Sequence, residues 1–125
     1  MLEKDYFSQW LGIEVIETSE GKSILKIQVR KDMLNGFGIA HGGITYSLAD
    51  SALAFASNSH GKKAVSIETS ISHIKTVNEN DVLIAKANLK SISNKIGVYE
   101  VEIKNQKDIL VALFKGTVYR TGEDW

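Results

Sequence analysis

The sequence predicts an α+β fold in which one long helix lies across a curved antiparallel sheet. Three observations carry that prediction. Residues 42–58 are rich in Ala and Leu and apolar around most of a helical circumference, as expected of a helix buried on more than one side. Most of the remaining chain has the alternating pattern or β-branched composition of strands. The last strands are separated by loops rich in Asn and Asp, and with no Pro in the chain the punctuation falls to Gly, Asn and Asp. A single sheet has one face to cover, and this helix can cover it.

Taken in order, Glu3 to Leu11 reads as a short amphipathic helix, with Phe7, Trp10 and Leu11 at helical spacing and Gly12 as its stop. Ile13 to Ser19 reads as a strand, and Gly21-Lys22 as a turn. In the next strand Leu25, Ile27 and Val29 alternate with Lys26, Gln28 and Arg30, the pattern of a half-buried antiparallel strand. Lys31 to Ala40 is irregular and holds Gly36 and Gly38. The long helix runs from Gly42 to Asn58, and His60-Gly61 closes it. Four strands follow, Ala64 to Lys75, Val82 to Ile92, Val98 to Lys104 and Ile109 to Arg120. The sheet edges and the exposed face of the helix call for a second subunit.

The 125 residues fit one domain, and a domain of this size buries roughly two-thirds of the surface its unfolded chain exposes. Fifteen basic and fifteen acidic residues cancel, so the chain lacks the positive footprint that nucleic acid requires. The absence of Cys removes disulfides, thiolate metal sites and a Cys nucleophile, and fits a cytoplasmic setting. The first residues carry charges where a leader would be apolar. The least polar stretch, Gly42 to Ser59, is interrupted by Ser47, Asp50, Ser51 and Ser57, a poor membrane span.

Chemistry concentrates around the long helix. Between Gly36 and Ser59 the only carboxylate or imidazole residues are His41 and Asp50. Asp is a poor helix former, and its neighbours Leu48, Ala49, Ala52 and Leu53 are apolar. Either Asp50 marks a solvated stripe, or it is a carboxylate whose pKa burial raises, suited to general-base work. His41-Gly42-Gly43 stands at the helix start. Unpaired N–H groups there, with the helix dipole behind them, are what an oxyanion hole needs; close helix–sheet packing explains the two glycines equally well. Asp50 lies eight positions after Gly42, roughly 12 Å along a helix that rises about 1.5 Å per residue. That is too far for one helix to serve one reacting carbonyl. If both residues are catalytic, two antiparallel copies of the helix must share the site.

Asn35 is either an amide that orients water or a carbonyl, or an αL turn residue before Gly36. Ser66 lies in the strand after the helix, and His73 reads as a sheet-surface residue. Phe37, Ile39, Tyr46 and Phe55 could shape an aromatic pocket or serve the core. Lys62, Lys63, Lys75 and Lys95, with Asn94 beside Lys95, sit near loop or strand ends, either as solvating charges or as groups that could meet phosphates. His41, His60 and His73 show no ligand spacing, so no metal site is expected. No strand–Ser–helix elbow supports a Ser–His–Asp triad.

The stretch NGFGIAHGGITYSLADSALAFASNSHG resembles the motif region of the hot-dog thioesterase superfamily, and most of all the PaaI-type acyl-CoA thioesterases of phenylacetic acid degradation. The likeness continues through GVYEVEI and VALFKGTVYRTG, covering the chain from about Ser8 onward as a single hot-dog domain over residues 1–125. The resemblance implies that Asn35 orients water or the thioester carbonyl, that the Gly42 N–H polarises that carbonyl with His41 supporting the turn and Gly43 beside it, that Asp50 is general base or nucleophile, and that Ser66 helps place the water. It further implies aryl- or hydroxyaryl-acetyl-CoA and related acyl-CoA substrates, no metal or redox cofactor, and a homodimer or homotetramer with sites shared between subunits. Thr76 departs from the pattern, because relatives usually carry Pro after the basic residue. Two other functions compete. A non-catalytic acyl-CoA-binding module would bind without turnover, and an enoyl-CoA hydratase or dehydratase would pair His41 with Asp50.

Overall fold

The computed structural model of the chain describes residues 2–124. Six strands form one antiparallel sheet: β1 (Glu14–Ser19), β2 (Lys22–Gln28), β3 (Lys62–His73), β4 (Val82–Ile92), β5 (Ile96–Lys104) and β6 (Leu110–Asp124). Their spatial order is β1-β2-β4-β5-β6-β3. The hot-dog layout follows from one helix, α2 (Gly42–Ser57), lying against strands β2 to β6.

Alternation along the strands builds the core. Leu25 and Ile27 of β2, Leu83, Ala85 and Ala87 of β4, Val101 and Ile103 of β5, and Phe114 and Val118 of β6 all turn inward. They meet Leu48, Ala49, Ala52, Leu53 and Ala56 of α2. Small residues set how closely the helix sits. A Cβ on Gly116 would fall 2.5 Å from Leu53 Cδ2, so only glycine allows this approach.

The N-terminal helix differs from expectation. A 3-10 turn (Leu2–Lys4) precedes α1 (Tyr6–Leu11). Asp5 divides them, because its carboxylate caps α1, accepting the Ser8 N–H at 3.0 Å and the Ser8 hydroxyl at 2.7 Å. Ser8 and Leu11 are buried, whereas Phe7 and Trp10 stay largely exposed. Those two rings stack at 5.9 Å, with the Arg30 guanidinium 5.0 Å from Trp10. The buried stripe is thus rotated from the one Phe7, Trp10 and Leu11 suggest. The irregular segment contains a 3-10 turn (Lys31–Met33) and an isolated bridge between Leu34 and Ala40. Strand ends shift by a few residues, and β6 runs on to Asp124.

β3 is the far edge of the sheet and pairs with β6 along its length. The register slips between Ser66 and Glu68, a β-bulge at Ile67. Val65 and Ile67 on this edge strand are more than half exposed.

Candidate active site

The start of α2 is built by His41, the N-cap residue. Its Nδ1 accepts the Gly43 N–H at 2.9 Å, and its carbonyl accepts the Ile44 N–H at 2.9 Å. The Gly42 N–H has no acceptor among the described residues. Of the two glycines, Gly42 therefore holds the free donor at the positive end of the helix. It opens on a pocket of about 320 Å³ lined also by Asn35, Thr45, His73, Lys75 and Thr76.

Asn35 reaches this pocket from a tight loop. Its N–H donates to Ile39 O at 2.8 Å, and its side-chain Oδ1 accepts the Phe37 N–H at 2.8 Å. Gly38 closes the loop at φ +78°. The positive-φ position is thus Gly38, and Asn35 forms an Asx turn in place of an αL residue. With Oδ1 engaged, the carboxamide nitrogen of Asn35 is left to donate. Phe37 projects from the same loop, 90% exposed.

Asp50 occupies a second, smaller pocket of about 60 Å³, together with Leu53, Ala54, Ser57, Ala64, Ser66 and Val118. Burial pushes its carboxyl pKa above the ordinary 3.8, and the nearby Asp5 carboxylate pushes it the same way. Ser66 enters from β3, opposite the buried Val118. Within one chain the two pockets share no lining residue.

The remaining candidates fall around these two centres. His41 and Gly43 border a third cleft, with Phe7, Trp10 and Ser47. Lys75 lies in the Gly42 pocket. Asn94 and Lys95 lie in the β4–β5 turn, outside both pockets. That turn is at the Asp50 end of the sheet, since Val118 pairs with Ser66 on one side and Gly97 on the other. Among the described residues no three His, Asp or Glu side chains converge as a metal site would require, and no helix is long and apolar enough to cross a membrane.

Two pocket residues escaped sequence reasoning. Thr45 looks like any helical Thr. His73 reads as a sheet-surface residue, and it is exposed, but it also lines the Gly42 pocket. The bulge resets the phase, so Thr69, Ile71 and His73 pair with inward Gly116, Phe114 and Ala112. His73 Nδ1 lies 3.3 Å from Thr45 Oγ1, which donates to Gly42 O at 3.0 Å.

Comparison with known proteins bears on this geometry. Residues 37–112 match the thioesterase superfamily. A protein of Archaeoglobus fulgidus is 43% identical over 125 residues, covering 100% of this chain and 81% of its own. The acyl-coenzyme A thioesterase PaaI of Escherichia coli is 39% identical over 122 residues, covering 98% of this chain and 87% of its own. The structure of that PaaI superposes with a TM-score of 0.97 over 99% of this chain and 90% of PaaI. A thioesterase protein of Streptococcus pneumoniae crystallised with coenzyme A is 27% identical, with a TM-score of 0.87 over 90% of this chain and 91% of its own.

Proposed function

Because this chain belongs to the thioesterase superfamily, we propose that it hydrolyses acyl-CoA thioesters, aryl- and hydroxyaryl-acetyl-CoA among them, at a site completed by two copies of the chain. It is a thioester hydrolase of PaaI type with the hot-dog fold. The observation that carries the proposal is the division of labour between the pockets. One holds an unpaired helix-start N–H, and the other holds a carboxyl whose pKa is raised.

The thioester carbonyl oxygen takes the Gly42 N–H, with the Asn35 carboxamide nitrogen alongside to hold the carbonyl or the water. The partner's Asp50, placed by an antiparallel α2, removes a proton from a water that Ser66 beside it helps position. The hydroxide adds to the carbonyl carbon, the negative charge on oxygen is met at Gly42, and collapse expels the CoA thiolate, which takes up a proton. Direct attack by the carboxylate, expelling the CoA thiolate and leaving a mixed anhydride for water to hydrolyse, is the alternative. Water opening that anhydride at the Asp50 carbonyl would leave an enzyme oxygen in the first molecule of acid formed, which single-turnover hydrolysis in ¹⁸O-water detects. Lys75 in the Gly42 pocket, and Lys95 with Asn94 at the end of the sheet, are the groups we assign to the CoA moiety; Phe37 on its exposed loop is assigned to the acyl group.

The edge strand β3 supports the shared site. A long edge with exposed Val65 and Ile67 is a template for a second copy, and a two-fold axis there sets the helices antiparallel. We infer a homodimer or homotetramer on this basis. A CoA substrate and a Cys-free chain fit the cytoplasm, where we place the enzyme. The hydratase alternative loses support, because His41 spends Nδ1 on the Gly43 N–H.

Thiol release from a panel of aryl- and alkyl-acyl-CoAs tests the proposal. Turnover is expected on several of them. Binding without turnover on every one would return the chain to the acyl-CoA-binding alternative.

A further inference from the structure

His73 stands over the residue that receives the thioester. A Cβ on Gly42 would lie 3.3 Å from His73 Nε2 and 3.4 Å from Cε1. The imidazole therefore covers the space that a side chain at position 42 would fill, and Nε2 is the ring atom nearest that space. The other nitrogen is engaged. Thr45 Oγ1 has one proton, and it goes to Gly42 O, which can only accept. Because that contact is the shorter one, we assign the proton between His73 Nδ1 and Thr45 Oγ1 to Nδ1. A neutral imidazole with its proton on Nδ1 has an acceptor lone pair on Nε2. Among the described residues no donor meets that lone pair. The pocket thus contains an N–H waiting for an acceptor and, beside it, an acceptor waiting for a donor.

The substrate class has both groups in that order. A thioester of coenzyme A has its carbonyl oxygen on one side of the sulfur. On the other side, three bonds from the sulfur, is the amide N–H of the cysteamine unit. The pocket around His73 sets Asn35, Thr45, Lys75 and Thr76 among Ile39, Ala40, Ile74 and Val77, a mixed lining that suits an arm of alternating methylenes and amides. We propose that His73 is a substrate-binding residue that reads the carrier arm, its Nε2 accepting the cysteamine amide N–H while the thioester carbonyl sits on Gly42. This assignment rests on the hydrolase reading above. It makes the enzyme selective for thioesters of pantetheine-type carriers as well as for the acyl group.

The experiment compares two thioesters of one acyl group. One is the N-acetylcysteamine thioester, which keeps the amide. The other is an S-alkyl thioester of equal length without it. The readout is the ratio of their kcat/KM values, with acyl-CoA turnover measured in parallel. The wild type is expected to prefer the amide-bearing thioester. His73→Phe should lower that preference about tenfold, the scale of one hydrogen bond. His73→Asn should do the same, since its amide nitrogen can keep the bond to Thr45 but is too short to present an acceptor to the pocket. His73→Gln, whose side-chain oxygen reaches the Nε2 position, should keep most of the preference. If both rates fall together and the ratio is unchanged, His73 only braces the helix start through Thr45, and the proposal is wrong. A wild type that turns over acyl-CoA without preferring the amide also overturns it and leaves the hydrolase reading intact. A wild type inactive on every thioester removes that reading, and this one with it.

Discussion

Mixing two inactive variants should restore activity if the site is shared. The variants are Asp50→Asn, which removes the base, and Gly42→Pro, which removes the oxyanion donor. The second substitution is milder than it looks. Gly42 is the first residue of α2, where Pro is well tolerated. The preceding His41 has φ −61° and ψ 138°, the extended conformation that a following Pro demands. The N–H that is lost has no acceptor among the described residues, and the atoms nearest a Cβ belong to the movable ring of His73. The two positions are eight residues apart on one helix, so about 12 Å at 1.5 Å per residue, and line separate pockets. Each homodimer has two broken sites and should fall at least about a hundredfold in kcat. A mixed dimer has one site with both lesions and one with neither. Random exchange makes about half the dimers mixed, so about a quarter of the wild-type rate should return. Circular dichroism checks folding, exchange of differently tagged subunits checks mixing, and thiol release reads activity. If both variants fold and exchange yet the mixture stays at the parental rate, each chain holds a complete site and the reasoning from helix rise is refuted.

The Asp50 carboxyl gives a pH prediction. Activity needs the ionised form, so kcat/KM should fall as pH drops through a value above the ordinary 3.8. Asp5→Asn removes the second cause of the shift while keeping a capping oxygen on α1; it should move that acid limb to lower pH, and an unmoved limb would count against the electrostatic account. For stability the sign is reversed. With its folded pKa raised, Asp50 imposes no penalty below the unfolded value, and the penalty grows as pH rises through the folded one. Asp50→Asn should therefore raise Tm at pH 7, with the gain vanishing below pH 3.8, as calorimetry across pH would reveal. Gly116→Ala should cost about 1–3 kcal/mol in urea unfolding, the range for an overfilled core, because the new methyl group meets the buried Leu53 at 2.5 Å. A cost within about 0.5 kcal/mol, as at an ordinary surface position, would mean the helix can lift from the sheet without strain.

How much was legible depends on whether local chemistry or register decided the outcome. The long helix was legible almost to the residue, expected from Gly42 to Asn58 and found from Gly42 to Ser57. Its apolar residues cover most of a helical circumference, and its start is marked by His41 and two glycines. The separation of Gly42 from Asp50 follows from helix rise alone, and the structure adds that they line different pockets. The first helix was misjudged at its start because Asp5 prefers capping to continuing a turn. Of the two readings of Asn35, the αL one fails, because the loop uses Gly38 for positive φ and Asn35 for its side-chain acceptor. His73 was rightly read as exposed on the sheet, but its place in the pocket was hidden by one inserted residue. A bulge leaves no reliable mark in a strand of alternating Ser, Ile and Thr, yet it reverses the facing of every residue after it.

The strand order has a consequence for how the protein is made. β3 is complete by residue 73, but its pairing partner in the sheet is β6, which begins only at Leu110. On the ribosome, α2 and β3 emerge with their apolar faces uncovered and wait through the synthesis of β4 and β5. Closing so long a stretch of chain is slow, and an unpaired strand is prone to the wrong neighbours while it waits. A nascent chain stalled before residue 110 would already contain Asn35, Gly42, Asp50, Ser66 and His73, yet would lack the β6 strand that holds Ser66 and His73 against the helix. Competence to bind substrate should therefore arrive only once the fifteen-residue β6 has been made.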